Sequence, residues 1–429
     1  MNRNIKIFLT VLIAGAVPAH AGESSGFFLT TPITLSAGRD TNFLLGNRQL
    51  ADNVFLLVPS EMSLLSLGRR AELSFSYQPE FELFMRNHEQ DAWNHQAAFR
   101  LNYRITPRLT LGGGDAFLLT KDPSRQLPEN PVLLPRGSYR ENRAYINLDY
   151  RLSALTNLDF RFDNTNTNMA FSEFSKASEF REAGKGATVS ISRLLNPRQS
   201  VAASYSLLKS NVSGLGLPSL NGTLPVSLGN FSLIYNYRVR HDLLLGFSGG
   251  VLHGTSGAYT LSGHIEKRLG SYWLKAGYQR YLSSFGQPGA SDQDSAGARF
   301  QGGLLPSSLV QVVLFGLRGN VSDRTGIEVG VRASRTSFAL ADRDRKNLFG
   351  HLGLDYRLTD RLTAFLNLES YLQSQSHTEG IGRNRFFGGI RVLLSDSPRE
   401  SLGARLSRSG NYTGAIDAHS ARGHMYGEK

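Results

Sequence analysis

Apolar and polar residues alternate with period two along most of this chain. Ala97, Phe99, Leu101, Tyr103 and Ile105 take one parity, and Ala98, Arg100, Asn102 and Arg104 take the other. Successive strand side chains point to opposite faces, so the stretch has one greasy and one polar face. The pattern returns over 144–152, 158–162, 231–239, 327–331 and 352–358. In the first of these, Ala144, Ile146, Leu148, Tyr150 and Leu152 oppose Arg143, Asn147, Asp149 and Arg151.

Short polar turns separate the strands in pairs, among them Thr106-Pro107-Arg108, Asn196-Pro197-Arg198 and Thr359-Asp360-Arg361. These are hairpin signals. The alternate connections are longer and rich in Gly, Pro, Asn and Asp, as over 121–138, 164–179, 211–225 and 286–306. The pattern predicts eighteen strands, over 32–46, 53–65, 69–86, 95–106, 108–121, 140–153, 155–168, 183–195, 198–211, 227–240, 242–254, 257–268, 271–284, 307–321, 324–338, 346–358, 361–374 and 384–394. The first two are the weakest signals. The stretch 309–317 is apolar on both parities. Asp115 falls on a greasy parity, which points to a bulge or a shifted register there.

Strands of about 11–15 residues exceed the usual five or six of soluble sheets and suffice for a tilted membrane crossing. Short turns at one end and long loops at the other are the outer-membrane arrangement. The expected fold is therefore all-β: a single antiparallel up-and-down transmembrane barrel of sixteen to eighteen strands. A soluble sandwich or β-solenoid would also alternate, but would need many sheets for so many long strands.

Composition agrees. Charged residues are only 19 % of the 429, with Phe 25, Tyr 16 and Gly 44, and mean hydropathy is −0.24. No stretch after Val17 reaches the ~18 apolar residues of a spanning helix. There is no cysteine, which excludes disulfides, thiolate metal sites, cysteine nucleophiles and a lipidated N-terminus. Residues 1–21 read as a cleaved signal peptide. Arg3 and Lys6 precede the apolar 7–17, and Ala19-His20-Ala21 closes the segment. Cleavage removes those two cations and lowers the formal charge of +12 to +10. Residues 22–394 form the barrel, and no plug domain is expected. The polar tail 395–429, with His419 and His424, reads as disordered or periplasmic.

A sheet in lipid must close, and sixteen to eighteen strands close around an aqueous channel. The expected pore-lining residues are Arg100, Arg104, Arg143, Asp149, Arg151, Asp159, Arg161, Arg238, Arg332, Asp355, Arg357 and Glu369. The same parity carries Asp163, Arg240, Glu328 and Arg391. Opposite charges on facing strands can pair across such a wall and order the water within it. The mature charge leans the channel toward anions, although arginines near the short turns could equally balance aspartates or meet headgroups.

Phe387, Gly389, Val392 and Leu394 fit aromatic-x-Gly-x-x-apolar-x-apolar. This resembles the signal read by the outer-membrane barrel assembly machinery, which the likeness implies as a partner. Here it is internal and ends in Leu394 instead of an aromatic.

The opening Thr34-Leu-Ser-Ala-Gly-Arg-Asp-Thr-Asn42, with Asp52-Asn-Val-Phe55 and Val58-Pro59, resembles that of β-barrel porin family 2. So does the cadence Tyr103-Arg104-Ile-Thr-Pro-Arg108-Leu109, echoed at Tyr356-Arg357-Leu-Thr-Asp-Arg361-Leu362. The resemblance implies a large single-chain barrel, with exopolysaccharide export in some members. Tyr145, Trp273, Phe365 and Tyr371 could then stack on sugar rings, although packing within the wall is the favoured reading.

Two other functions compete. A structural or adhesive barrel would act through its loops. A hydrolase would need a nucleophile and an orienting group beside one of the scattered His88, His95, His253, His264 or His351. The expected partners are outer-membrane lipid, the assembly machinery, and polysaccharide or small hydrophilic anions. No nucleic acid, cofactor or metal is expected, and the oligomeric state is open.

Overall fold

The computed structural model describes residues 25–29, 32–44, 50–123, 136–171, 179–213, 224–253, 258–283, 308–338, 344–375 and 378–393. Residues 1–21, expected as a signal peptide, Leu394, and the expected tail 395–429 with His419 and His424 lie outside them. β1 is Ser25–Leu29, β2 Ile33–Asp40, β3 Asp52–Val58, β4 Met62–Leu67 and β5 Ala71–Phe84. β6 is Ala92–Thr106, β7 Leu109–Thr120, β8 Gly137–Arg151, β9 Thr156–Phe171 and β10 Glu179–Asn196. β11 is Gln199–Ser213, β12 Leu224–Arg240, β13 Leu243–His253, β14 Tyr259–Leu269 and β15 Tyr272–Ser283. β16 is Ser308–Asn320, β17 Thr325–Phe338, β18 Asp344–Arg357, β19 Leu362–Gln375 and β20 Thr378–Val392.

These segments make eighteen staves. β2 pairs with β3 and β1 with β4, while β5 pairs with both β3 and β4. Thus β1–β2 is one stave and β3–β4 the next. Their interruptions contain Pro32 and Pro59, residues that give no N–H to a ladder. From β5 onward each strand pairs with the next, all antiparallel. β20 then pairs with β2, from Ile33 opposite Val392 to Asp40 opposite Arg385. The sheet thereby closes on itself through β2 and β20. Among the described residues no helix is long and apolar enough to cross a membrane.

Directly opposed residues share a face, so the register assigns every strand residue to one side. Phe99, Tyr103, Ile146, Phe160, Phe231 and Val331 all point outward and are exposed. On β8 the outward series runs Tyr150, Leu148, Ile146, Ala144, then Asn142 and Arg140. On β11 it runs Val201, Ala203, Tyr205, Leu207, then Lys209 and Asn211. On these staves an apolar outer segment on the short-turn side thus passes into a polar one above it, whereas β5 stays apolar on its outward face from Ala71 to Leu83. Apolar side chains exposed in a continuous band are stable only against lipid.

Several boundaries move. The first stave begins at Ser25 and its ladder ends at Asp40, short of 46; the last runs 378–392, six residues earlier than expected. β9 continues to Phe171, three residues past the expected end at 168 and into the stretch expected as a long connection. Above the apolar band the outward face is polar, as at Asn164, Asn166 and Asn168, so the alternation disappears while the ladder goes on. Asp115 makes no bulge. It stands in an unbroken ladder opposite Phe99 and Ala144, on the outward face, where the Asn142 amide donates to it at 2.7 Å. The irregularity of that hairpin lies by the turn, between Arg104 and Thr106. The doubly apolar 309–317 also resolves: Val310 and Val312 face inward and pack with Tyr281.

The closing seam depends on two glycines. A Cβ on Gly38 would stand 2.0 Å from the Phe386 carbonyl oxygen, and one on Gly389 2.1 Å from that of Leu35. Both clashes are with backbone, which cannot rotate away. Gly38→Val or Gly389→Val should therefore prevent closure. In unheated gel electrophoresis the wild type should run as a compact folded band and either variant at its unfolded mobility; a folded band for both would overturn this account.

Candidate functional site: the barrel lumen

Eighteen staves tilted as in known barrels give a backbone cylinder roughly 35 Å across. Wall side chains alone cannot fill that width, so what stands on the inner face decides what the barrel can do. The register places all twelve expected lining residues on this face.

Toward the short turns the inner wall is open and charged. Arg104, Arg151 and Arg357 are exposed there. Asp149 and Asp159 stand directly opposite one another on β8 and β9, with the Asn147 amide donating to Asp149 at 2.9 Å. Beside them Arg161 donates to Asp163 at 2.9 Å and lies over the Tyr145 ring, 4.4 Å from its centroid. Tyr145 in turn crosses Gly114, where a Cβ would meet the ring at 2.7 Å. Farther round the wall, Arg391 donates to Asp355 at 2.7 Å and covers Phe365. Glu369 accepts from Arg385 at 3.1 Å and from the Tyr371 hydroxyl at 3.3 Å. Arg332 lies over Phe349, and Arg143 pairs with Glu141. Arg100 and Arg238 stand on the same face, opposite Gly114 and Leu244. The charges form local pairs and stacks more than one continuous ring.

Toward the long loops the inner face is buried, and part of what covers it is loop. Phe43 and Leu44, just past β2, fold against Val54, Leu56, Phe84 and Phe387. Asp122 and Arg136, at the two ends of the connection between β7 and β8, also turn inward and are buried. Arg383 on β20 holds two carboxylates at once. Its Nη2 donates to Asp40 Oδ2 and to Asp122 Oδ2, both at 2.6 Å, and its Nε to Asp40 Oδ2 at 3.0 Å. Arg136 donates through Nη2 to Glu82 Oε2 and to the Gln90 carbonyl, each at 2.7 Å, and lies over Phe84. Lys121 adds a bond to the Asp91 carbonyl at 2.6 Å. The ends of the β7–β8 connection are thus fastened to β5, the β5–β6 loop and β20.

Asp122 lies outside the strands. Burial alone would raise its pKa, but Arg383, Arg385 and Arg136 outweigh that and hold the carboxylate below the ordinary aspartate range. No alternation predicted this cluster. Arg383 sits one residue before the expected last strand, and Asp122 and Arg136 lie in a segment read as loop. The parity of Arg385 and Arg391 extended backward would have placed Arg383 inside.

The remaining candidates disperse. Phe387 faces inward in the apolar cluster, Gly389 serves the seam, Val392 opposes Ile33, and Leu394 is outside the described residues. His95 faces outward, its ring bonded to the Tyr77 hydroxyl at 2.8 Å. His264 and His351 lie flat over Gly246 and Gly330. His351 pairs with Glu328 at 3.3 Å. His88 is an exposed residue near Asp91, and His253 is exposed at the top of β13. Among the described residues no group of three or more His, Asp or Glu could hold a metal ion.

The sequence matches no protein-family model and no curated protein. The resemblance to β-barrel porin family 2 therefore rests on the residues quoted for it. Solved structures with a similar course include Acinetobacter baumannii OccAB4, at 10 % identity, covering 87 % of this chain and 99 % of that one, with a TM-score of 0.48. Pseudomonas aeruginosa OccK2 (OpdF) has 13 % identity, covers 86 % and 100 %, and has a TM-score of 0.46. The siderophore receptor PirA from Pseudomonas aeruginosa has 12 % identity, covers 86 % and 81 %, and has a TM-score of 0.40. No substrate or partner is carried over from them.

Arg383→Gln would leave Asp40 and Asp122 buried without their shared counter-charge, a change that costs about 3–5 kcal/mol in comparable buried pairs. Its thermal unfolding midpoint in detergent should fall clearly; an unchanged midpoint would show the cluster to be dispensable. The pH dependence has a definite sign. Because the folded pKa of Asp122 is depressed, its contribution is complete above the ordinary value near ~4 and is lost as pH falls below it. Wild type should therefore lose more stability than Asp122→Asn between about pH 4 and pH 2.

Proposed function

We propose that the chain is an outer-membrane channel, exported by its cleavable signal, that passes small hydrophilic solutes with a lean toward anions. One observation carries this reading: a closed barrel with a lipid-type outer band has an inner face that is exposed and arginine-rich at one end and lined by buried side chains and ion pairs at the other. An inner wall meant only for structure would not need exposed Arg104, Arg151 and Arg357. Fixed cations beside low-dielectric walls raise the local anion concentration, and a side-chain constriction then selects by size and charge.

Passage of an exopolysaccharide strand is the finer reading, and the wall aromatics speak against a sugar track. Phe365 and Tyr371 are buried, and Tyr145 carries Arg161 on its ring. Trp273 remains exposed on the inner face but stands alone among the four. For a hydrolase, no Ser, Thr or Tyr hydroxyl bonds His264 or His351 among the described residues.

The test is single-channel conductance of the refolded barrel in a planar bilayer under a salt gradient. Open steps with an anion-selective reversal potential are expected. Arg104→Gln combined with Arg357→Gln should lower the anion-to-cation permeability ratio by about two-fold. Asp122→Asn should free the β7–β8 connection and raise open conductance or its noise. A folded barrel that never conducts would overturn the channel reading and leave a structural or adhesive role.

A further inference from the structure

The outward face carries a cationic arrangement that neither a channel nor a barrel requires. Lys185 on β10 and Lys209 on β11 stand directly opposite one another. Both are exposed. Like charges in that position repel. Their outward neighbours offer no relief: Asn164 and Ser227 continue the row on either side, Asn211 stands above, and Ala187 and Leu207 stand below. None is a carboxylate. The two lysines also occupy the first polar position above the apolar band. Below them the face runs through Tyr205 and Leu207, both exposed.

We propose that the Lys185–Lys209 pair binds the phosphate group of an anionic lipid in the leaflet at the long-loop rim. The inference rests on the membrane reading above. A pair of directly opposed cations is a strained feature in water and a matched one around a phosphate. The apolar surface beneath it is where that lipid's chains would lie. A membrane-surface cation attracts anionic headgroups strongly enough to bias which lipids surround the barrel. Asn164 and Asn211 add neutral donors for the remaining phosphate oxygens.

The experiment reconstitutes the full chain in phosphatidylcholine vesicles containing spin-labelled phosphatidic acid or spin-labelled phosphatidylcholine. Electron paramagnetic resonance reads the fraction of each label immobilised at the barrel perimeter. Wild type should prefer phosphatidic acid. Lys185→Gln combined with Lys209→Gln should reduce that preference by at least about five-fold. Lys275→Gln, which removes an inward cation paired with Glu266, should leave it unchanged. An equal preference in wild type and the double variant, or none in wild type, overturns the proposal. So does inorganic phosphate that displaces the labelled lipid better than chloride of equal ionic strength, since the site would then take free phosphate. Immobilised phosphatidylcholine in every protein keeps the membrane reading intact whatever the patch does; no immobilised lipid of either kind overturns both. Unheated gel mobility confirms that the glutamine variants fold.

Discussion

Every backbone N–H and C=O facing lipid must find its partner within the protein, and the seam between β2 and β20 is where this chain meets that demand. Without the eight residue pairs from Ile33–Val392 to Asp40–Arg385, eighteen staves would be an open sheet with two unpaired edges. The glycines at the seam follow from the same demand, because the strands approach so closely that backbone oxygen occupies the space of a Cβ. Closure also fixes the faces. Once β20 pairs with β2, the register carries one inward set and one outward set around the whole circumference without contradiction.

Closure at this width creates a second problem, because the cylinder is too wide for its own side chains to fill. The structure solves it asymmetrically. Near the short turns the charged wall stays open to water. Near the long loops, Phe43 and Leu44 supply apolar filling, while Asp122 and Arg136 bring charge into a buried place. Burying ions is costly unless their partners are fixed. The bidentate grip of Arg383 on Asp40 and Asp122 meets that condition, and Arg385 stands close to the same aspartate at 3.6 Å. The ion cluster is therefore a charge-compensated part of the inner wall.

The strand count, the hairpin order and the inner parity were legible because lipid imposes a face-by-face rule that a period-two pattern records. Legibility failed where lipid stopped acting. Above the apolar band the outward face of β9 is polar at Asn164, Asn166 and Asn168, so the expected strand over 155–168 stops short of Phe171. The upper part of β20 has Gly380, Gly382 and Asn384 outward, so Arg383 seemed to precede the strand that carries it. The ion cluster was hidden for another reason. Its partners lie 261 and 343 residues apart, and alternation says which face a residue takes but nothing about what it meets across the bore. Asp115 shows a different limit. The parity reading placed it outward correctly, and the inference of a bulge ignored the possibility that Asn142 satisfies a carboxylate there.

The level at which the outward face changes character links the two halves of the molecule. At that height the outer wall passes from Leu207 to Lys209 and from Val331 through Ala333 to Arg335. Over much of the circumference the inner wall likewise passes from open to buried, as β8 does between Asp149 and Glu141. The staves that rise beyond the band have no apolar chains to cover them outside, so their stability must come from inside. Buried Tyr139, Met169, Leu228 and the Arg383 cluster stand on those rising segments or beside them. A barrel that ended at the band would have needed no filling and would have been an unobstructed pipe. By extending its strands past the apolar band, this chain commits itself to packing the upper part of its inner face, and the buried side chains and ion pairs there are that packing.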